Sequence, residues 1–341
     1  MIKTELCDLL EMEYPIIQAP MGPYNTTTLA AEVSNCGGFG IVSHSATPEA
    51  GGKISVSESK KVSIESIKKV ISLTDKNFGI NVRVAKEQRD APGLIDAIIE
   101  EKENDPYVKK RLKLFVTSAG NGTPYIKKLQ DAGFIHAHVV PSVYHAKKME
   151  NAGCDIVIAS GHEGGGHVNP NPVNTMVLIP AVVDAVNIPV IASGGFCDGR
   201  GLVSALSLGA QAIYMGTRFL CSRESEFHQN YKDFVLRATD RDTTIISGLF
   251  GPHRSLNNEF ARKLQKMKDE GASDSRLLMV KAQGYLARMT GDVDKALLAC
   301  GEVGGRIDEI LGVEEIIETI RKDAEEIIQN LSQKSVVNVK I

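Results

Sequence analysis

No apolar run in this 341-residue chain reaches the roughly 18 residues that a membrane-spanning helix needs. A basic excess is also missing. Lys and Arg number 39 against 42 Asp and Glu, a formal charge of −3. That balance argues against a nucleic-acid scaffold and against a polybasic membrane binder. The opening MIKTELCDLLEMEYP carries acids where a secretory leader has a cationic start and an apolar centre. A cytoplasmic location is therefore expected. The six cysteines, Cys7, Cys36, Cys154, Cys197, Cys221 and Cys300, form no CxxC pair. Neither a zinc site nor a disulfide framework is expected from them. Most read as small core residues. A GxGxxG fingerprint after an early strand is absent as well. Its nearest imitation, Gly37-Gly38-Phe39-Gly40, lies before a strand instead of after one. There is no short tandem repeat and no low-complexity tract.

Glycine is plentiful and unevenly placed. Ten of the 31 glycines fall between Gly161 and Gly216, about a sixth of the chain. Clustered glycine marks a backbone that approaches something closely. Short apolar, β-branched runs recur along the chain, at 16–20, 38–43, 78–84, 113–119, 135–140, 156–160, 189–195 and 212–219. Helix-like segments lie between them, among them TLAAEVSNCG, SIESIKKVISLTD and GRGLVSALSLGA. The runs are apolar on nearly every residue, which suits a parallel sheet buried on both faces. Eight βα units in succession predict an α/β fold, a (β/α)₈ TIM barrel. An open doubly wound sheet is the main rival. The charged stretch from about Arg223 to Met289 breaks the rhythm. It reads as a helical insertion after the eighth strand, with a turn-rich SGLFGPHRSLNN at 247–258. The expected division is a barrel of residues 1–222 and 290–341 with a helical lid of residues 223–289. The last barrel helix is expected near 314–331, followed by a peripheral tail.

In a barrel the active site lies at the C-terminal ends of the strands. Those ends carry Ala19-Pro20-Met21-Gly22, Asn81, Thr117-Ser118, the loop Gly161 to His167, Ser193-Gly194-Gly195, and Gly216-Thr217. The last two loops read as a phosphate site, with backbone N–H groups and a helix N-terminus turned toward an anion. A tight βα turn is the plainer explanation of Gly194 and Gly195. In the loop after the sixth strand, Gly164, Gly165 and Gly166 separate Glu163 from His167. A flat ligand can lie against such a wall with an imidazole at its edge. His167 is the candidate acid or base. His44, His136, His138, His145 and His228 read as structural, and His162 stays ambiguous. The glycines deny His162, Glu163 and His167 the helical spacing of a metal motif, so no metal is expected.

Taken in order, IIQAPMG, GGFGIVS, FGINV, the EGGGH loop, IPVIASGGF, GLVSALSLGAQAIYMGTRFL and GEVGGRIDEI resemble the FMN-dependent nitronate monooxygenases. The bacterial flavin-dependent enoyl-ACP reductases share these motifs. The resemblance covers nearly the whole chain. It implies FMN held non-covalently, its phosphate on Ser193, Gly194, Gly195, Gly216 and Thr217. It further implies the Ala19-Pro20-Met21 backbone near the isoalloxazine, and Asn81 at the ribityl-phosphate region or the ring. Gly22, Thr117, Ser118, Glu163, Gly165 and Gly166 complete the expected cofactor surroundings. His167 matches the family's active-site histidine. Gly164 stands where the family usually has alanine, and Val168-Asn169-Pro170-Asn171-Pro172 replaces the usual Arg-Gly or Ile-Gly. These departures leave the substrate open.

Two flavin activities compete. In one, a nitronate gives electrons to FMN and oxygen is consumed, yielding a carbonyl compound and nitrite. In the other, NAD(P)H is the electron donor and an enoyl thioester is reduced; quinone reduction is a variant. A flavin-free barrel isomerase or lyase that binds a phosphate ligand is the reading from another class. A large thioester carrier would need a basic mouth, for which Arg218, Arg223, Arg254 and Arg262 are candidates. The expected partner is a small-molecule substrate, with no nucleic acid and no membrane. Dimers are common among barrels, so a homodimer is compatible with the sequence.

Overall fold

The computed structural model describes residues 2–22, 24, 26–43, 55–246 and 251–334. His44, residues 247–250 and most of the expected tail lie outside the described residues. The strands in chain order are β1 (Ile16–Gln18), β2 (Ile41–Val42), β3 (Phe78–Arg83), β4 (Leu112–Ser118), β5 (Ile135–Val140), β6 (Ile156–Ser160), β7 (Gly166–His167), β8 (Val190–Ser193), β9 (Ala212–Met215), β10 (Thr243–Ile246) and β11 (His253–Leu256). Eight of them pair in parallel in the order β1-β9-β8-β6-β5-β4-β3-β2. The two ends meet where Ile17 bridges Phe39, just ahead of β2. The Gln18 N–H donates to the Phe39 carbonyl and the Phe39 N–H to that of Ile16. The first and last strands of an open doubly wound sheet never meet, so the barrel reading holds. The expected seventh and eighth strands are β8 and β9.

Alternation along each strand divides the side chains between two layers. Ile17, Leu114, Val116, Ala137, Ile156, Ile158, Ile191, Ala212 and Tyr214 form one buried cluster, the barrel interior. Their strand neighbours, such as Phe78, Ile80, Phe115, Val157 and Ile213, pack outward against the helices. The helix Glu5–Leu10 adds Leu6, Cys7 and Leu10 to the interior cluster. The Thr4 hydroxyl donates to the Gln211 carbonyl (2.8 Å), the Leu6 N–H donates to Gln211 Oε1 (2.9 Å), and Asn77 donates to the Leu10 carbonyl. Gln211 and Asn77 precede β9 and β3, so this helix plugs the N-terminal end and leaves the other end for chemistry.

Several boundaries differ from expectation. The eighth barrel strand stops at Met215, and Thr217–Leu220 is a short helix. The helix before β3 starts at Val56, where the Ser55 hydroxyl caps the Glu58 N–H. Two unanticipated helices, Ala91–Asn104 and Pro106–Arg111, each with proline in the first turn, lie between β3 and β4. The insertion is not all helical. It holds the helices Gln229–Leu236, Glu259–Asp269 and Asp274–Thr290, but β10 and β11 pair antiparallel between them. Within the expected turn-rich stretch, His253–Leu256 is buried strand. Its edge takes β7, so a small sheet β10-β11-β7 joins the insertion to the loop after β6. Packing of the insertion continues through Ala296, Leu298, Cys300, Val303 and Ile307. The chain then enters the final helix, Val313–Lys334.

Candidate active site at the carboxyl ends of the strands

The inward parity of the barrel strands places Ala19, Asn81, Arg83, Ser118, Ser160, Ser193 and Gly216 around the C-terminal mouth. All are small or polar, whereas the layer beneath is mostly aliphatic. Asn81 is 5% exposed, and its Oδ1 has no hydrogen-bond partner. Deeper in, the Tyr214 hydroxyl is buried and likewise without a partner. Polar atoms are rarely left so in a finished interior, which points to a ligand. Thr117 corrects the sequence reading. It shares the outward parity of Phe115, and its hydroxyl sits between His136 Nε2 (2.8 Å) and His138 Nδ1 (2.7 Å). Its side chain therefore serves the strand–helix layer, not the mouth.

Neighbouring strands bring the glycine loops together. The Gly161 N–H donates to the Ser193 carbonyl, and the Ala19 N–H to that of Met215, both at 2.9 Å. An added Cβ at Gly216 would meet Met21 Sδ at 3.6 Å, and one at Gly195 would meet only Glu163 Cβ, at 3.7 Å. Gly194 and Gly195 have φ of +100° and +82°, a consecutive pair that favours glycine. Among the described residues, the N–H groups of Gly194, Gly195, Gly216 and Thr217 have no acceptor. Four open donors on adjacent loops suit a phosphate. The Thr217 hydroxyl, by contrast, already accepts from the Gly301 N–H (3.1 Å).

The loop after β6 is held from three sides. Both Glu163 carboxylate oxygens accept from Thr175, at 2.7–3.0 Å, at the start of the helix Thr175–Val183. Glu163 thus fixes the loop through its side chain. Its carbonyl accepts from the Glu302 N–H (3.0 Å). A Cβ on Gly165 would lie 2.6 Å from the Cys300–Gly301 peptide. The glycine run is thus demanded partly by the returning chain and not only by a ligand. Arg254 grips the His162 carbonyl through Nε and Nη2 (3.2 and 3.1 Å) and pairs with Glu302 at 2.9 Å.

His167 keeps an exposed face at the rim. It stands opposite His253 in the β7–β11 register, with ring centroids 5.2 Å apart and planes nearly perpendicular. Crowding by the surrounding protein, then the charges of Arg83 and Lys281, push its pKa down, to about 4. The imidazole is therefore neutral near pH 7. His253 is buried, its Nδ1 has no partner, and burial lowers its pKa well below the ordinary value. Sequence reading missed His253, Arg83 and Lys281. Of the arginines considered for a basic mouth, Arg218 and Arg254 are buried and hydrogen-bonded inside. Arg223 pairs with Glu315, and Arg262 donates to the Asn257 carbonyl. Among the described residues no group of three His, Cys, Asp or Glu is placed to hold a metal, and no helix is long and apolar enough to cross a membrane.

A nitronate monooxygenase family model matches residues 3–323. The chain belongs to that family. It is accordingly a flavin-dependent oxidoreductase. A Rhodococcus jostii protein named (3aS,4S,5R,7aS)-5-hydroxy-7a-methyl-1-oxo-octahydro-1H-indene-4-carboxyl-CoA dehydrogenase is 38% identical over 265 residues, 77% of this chain and 68% of that one. A Staphylococcus aureus protein named probable nitronate monooxygenase is 31% identical over 302 residues, 79% of this chain and 82% of its own. FabK from Thermotoga maritima superposes with a TM-score of 0.85 at 38% identity, covering 98% of this chain and 100% of that one. Family membership sets aside the flavin-free isomerase or lyase. The open N–H donors, the orphaned Asn81 Oδ1 and the small rim fit a phosphorylated flavin.

Proposed function

We propose that this family member binds FMN and oxidises small alkyl nitronates with oxygen to a carbonyl compound and nitrite. The single observation behind the FMN assignment is the set of four open N–H groups at Gly194, Gly195, Gly216 and Thr217. Those groups would hold the phosphate, with Ser193 beside them. The backbone of Ala19, Pro20, Met21 and Gly22 would face the ring system. Asn81 would satisfy its Oδ1 on the ribityl chain or ring, and Ser118, Gly165 and Gly166 would line the space. When bound, FMN supplies the two-electron redox chemistry. The protein orients the substrate and handles its proton. A neutral His167 accepts a proton from the α-carbon of a nitroalkane, or stands beside a nitronate that has already lost it. Residues 223–289 act as the lid. Cytoplasmic location and a homodimer belong to the same proposal.

The second reading is reduction of an enoyl thioester with NAD(P)H as donor. It is favoured by the 38% identity to a relative named as a carboxyl-CoA dehydrogenase. Here the single N–H of neutral His167 would donate to the thioester carbonyl. Anaerobic mixing with NADH, NADPH and propyl-2-nitronate in turn separates the two. Bleaching of the flavin by the nitronate supports the first reading. Bleaching by pyridine nucleotide alone would replace it with the second.

A further inference from the structure

The pairing of β7 with β11 sets a second imidazole against His167. The Val168 N–H donates to the Pro252 carbonyl (3.0 Å), one residue past His167 and one before His253. That bond makes His167 and His253 a non-hydrogen-bonded pair of an antiparallel ladder, the kind in which opposed side chains stand closest. Both rings therefore project from one face of the small sheet. Their centroids lie 5.2 Å apart with planes at 86°, an edge-to-face contact. Both imidazoles are neutral near pH 7, so no like charge drives the rings apart.

A histidine that moves a proton is ordinarily aimed by a hydrogen bond on its other nitrogen. Among the described residues the His167 ring makes no hydrogen bond and no ion pair, and its aromatic contact is with His253. Its own segment adds little stiffness. β7 is two residues long, and Gly166 has φ of +81° with open space where a Cβ would stand. The second imidazole is better anchored. His253 is 4% exposed and precedes the buried Arg254, which is tied to the His162 carbonyl and to Glu302. Yet His253 is a poor interior residue. Its Nδ1 is buried without a partner, a cost that a leucine would not incur. A side chain kept at such a cost beside a reactive group points to a role in the reaction. We propose that His253 is the positioning residue of His167. Its ring fixes the plane of the neighbouring imidazole, whose χ2 torsion is otherwise broad, and keeps the proton-accepting nitrogen in line with the substrate. This rests on the reading of His167 as proton acceptor given above.

The test compares wild type, His253→Leu, His253→Phe and His167→Ala, each purified with its flavin. Leucine fills the space without a ring, and phenylalanine keeps a ring without nitrogens. On neutral 2-nitropropane, kcat should fall about tenfold or more in His253→Leu with KM little changed, and His253→Phe should keep most of it. Propyl-2-nitronate has already lost its proton, so both variants should turn it over nearly as fast as wild type. The denaturant midpoint of His253→Leu should equal or exceed that of wild type. A lowered midpoint with unchanged kcat marks a merely structural residue and overturns the proposal. A His253→Phe as slow as His253→Leu overturns it too. A His167→Ala as fast as wild type on 2-nitropropane fails the reading of His167, and the proposal falls with it. Should neither His253 variant fold, or should wild type turn over neither nitro compound, nuclear Overhauser spectra of wild type labelled at the histidine Cε1 decide. A ring cross-peak between His167 and His253, missing from His167→Ala, is expected. Its absence from wild type overturns the proposal.

Discussion

At His167 the protein keeps an imidazole neutral by crowding it and facing it with cations. As the proposed base, such an imidazole is ready at neutral pH and is lost only as pH falls toward 4. His167→Ala should therefore retain flavin yet lose about 10²–10⁴ in kcat/KM. Unchanged turnover would remove its role. Wild-type kcat/KM on a neutral nitroalkane should show no acid limb near 6.5, the ordinary histidine value. His136 and His138 carry a different consequence. Burial lowers their pKa to about 4 and about 3. The unfolded chain takes up these protons below about pH 6.5 while the folded one does not. Their stabilisation is thus complete above that pH and is lost as pH falls toward 4. Each tenfold drop in a histidine's proton affinity on folding is worth about 1.4 kcal/mol. Thermal melts between pH 7 and 4 should fall steeply in wild type and less in His138→Gln. Thr117 marks where residue-level reading failed. Strand alternation sets it on the opposite face from Val116 and Ser118, although its place at the end of β4 makes it look like a mouth residue. His253 sent almost no signal, since a four-residue strand beside Gly251 and Pro252 looks like turn.

Among the elements, the small sheet β10-β11-β7 couples the insertion to the loop after β6. Arg254 is its fastening, buried and tied to the His162 carbonyl and Glu302. Arg254→Met should leave the His162 carbonyl without its partner, while Glu302 keeps its access to solvent, and destabilise the fold by about 1–3 kcal/mol. A denaturant midpoint indistinguishable from wild type would show that the tie carries little. Gly165→Ala places a methyl 2.6 Å from the Cys300–Gly301 peptide. Activity should fall more than flavin content, because the loop that carries His167 must shift. Equal loss of both would mean that the loop mainly holds the cofactor. The barrel strands were legible because parallel strands buried on both faces are apolar throughout. The insertion was not, since β10 and β11 are short and flanked by charged helices. By sequence alone the EGGGH run looks like open space for a ligand. Its glycines answer in part to a chain segment more than 130 residues later, which local reading cannot see.

For the molecule as a whole, eight βα units and a plugged N-terminal end direct all ligand chemistry to one mouth. The eight-unit rhythm and the glycine-rich loops after β8 and β9 were legible in the sequence; the plug, which depends on Gln211 and Asn77 meeting the first helix, was not. The near-neutral net charge means that an anionic cofactor must be held locally. The proposed FMN site gives that task to the backbone N–H groups of Gly194, Gly195, Gly216 and Thr217. The most direct measurement compares FMN with riboflavin, titrated into flavin-stripped protein and followed by flavin fluorescence. Tight FMN binding, with riboflavin weaker by about 100-fold or more, is the predicted result. Equal affinity for the two, or no binding of FMN, would contradict it.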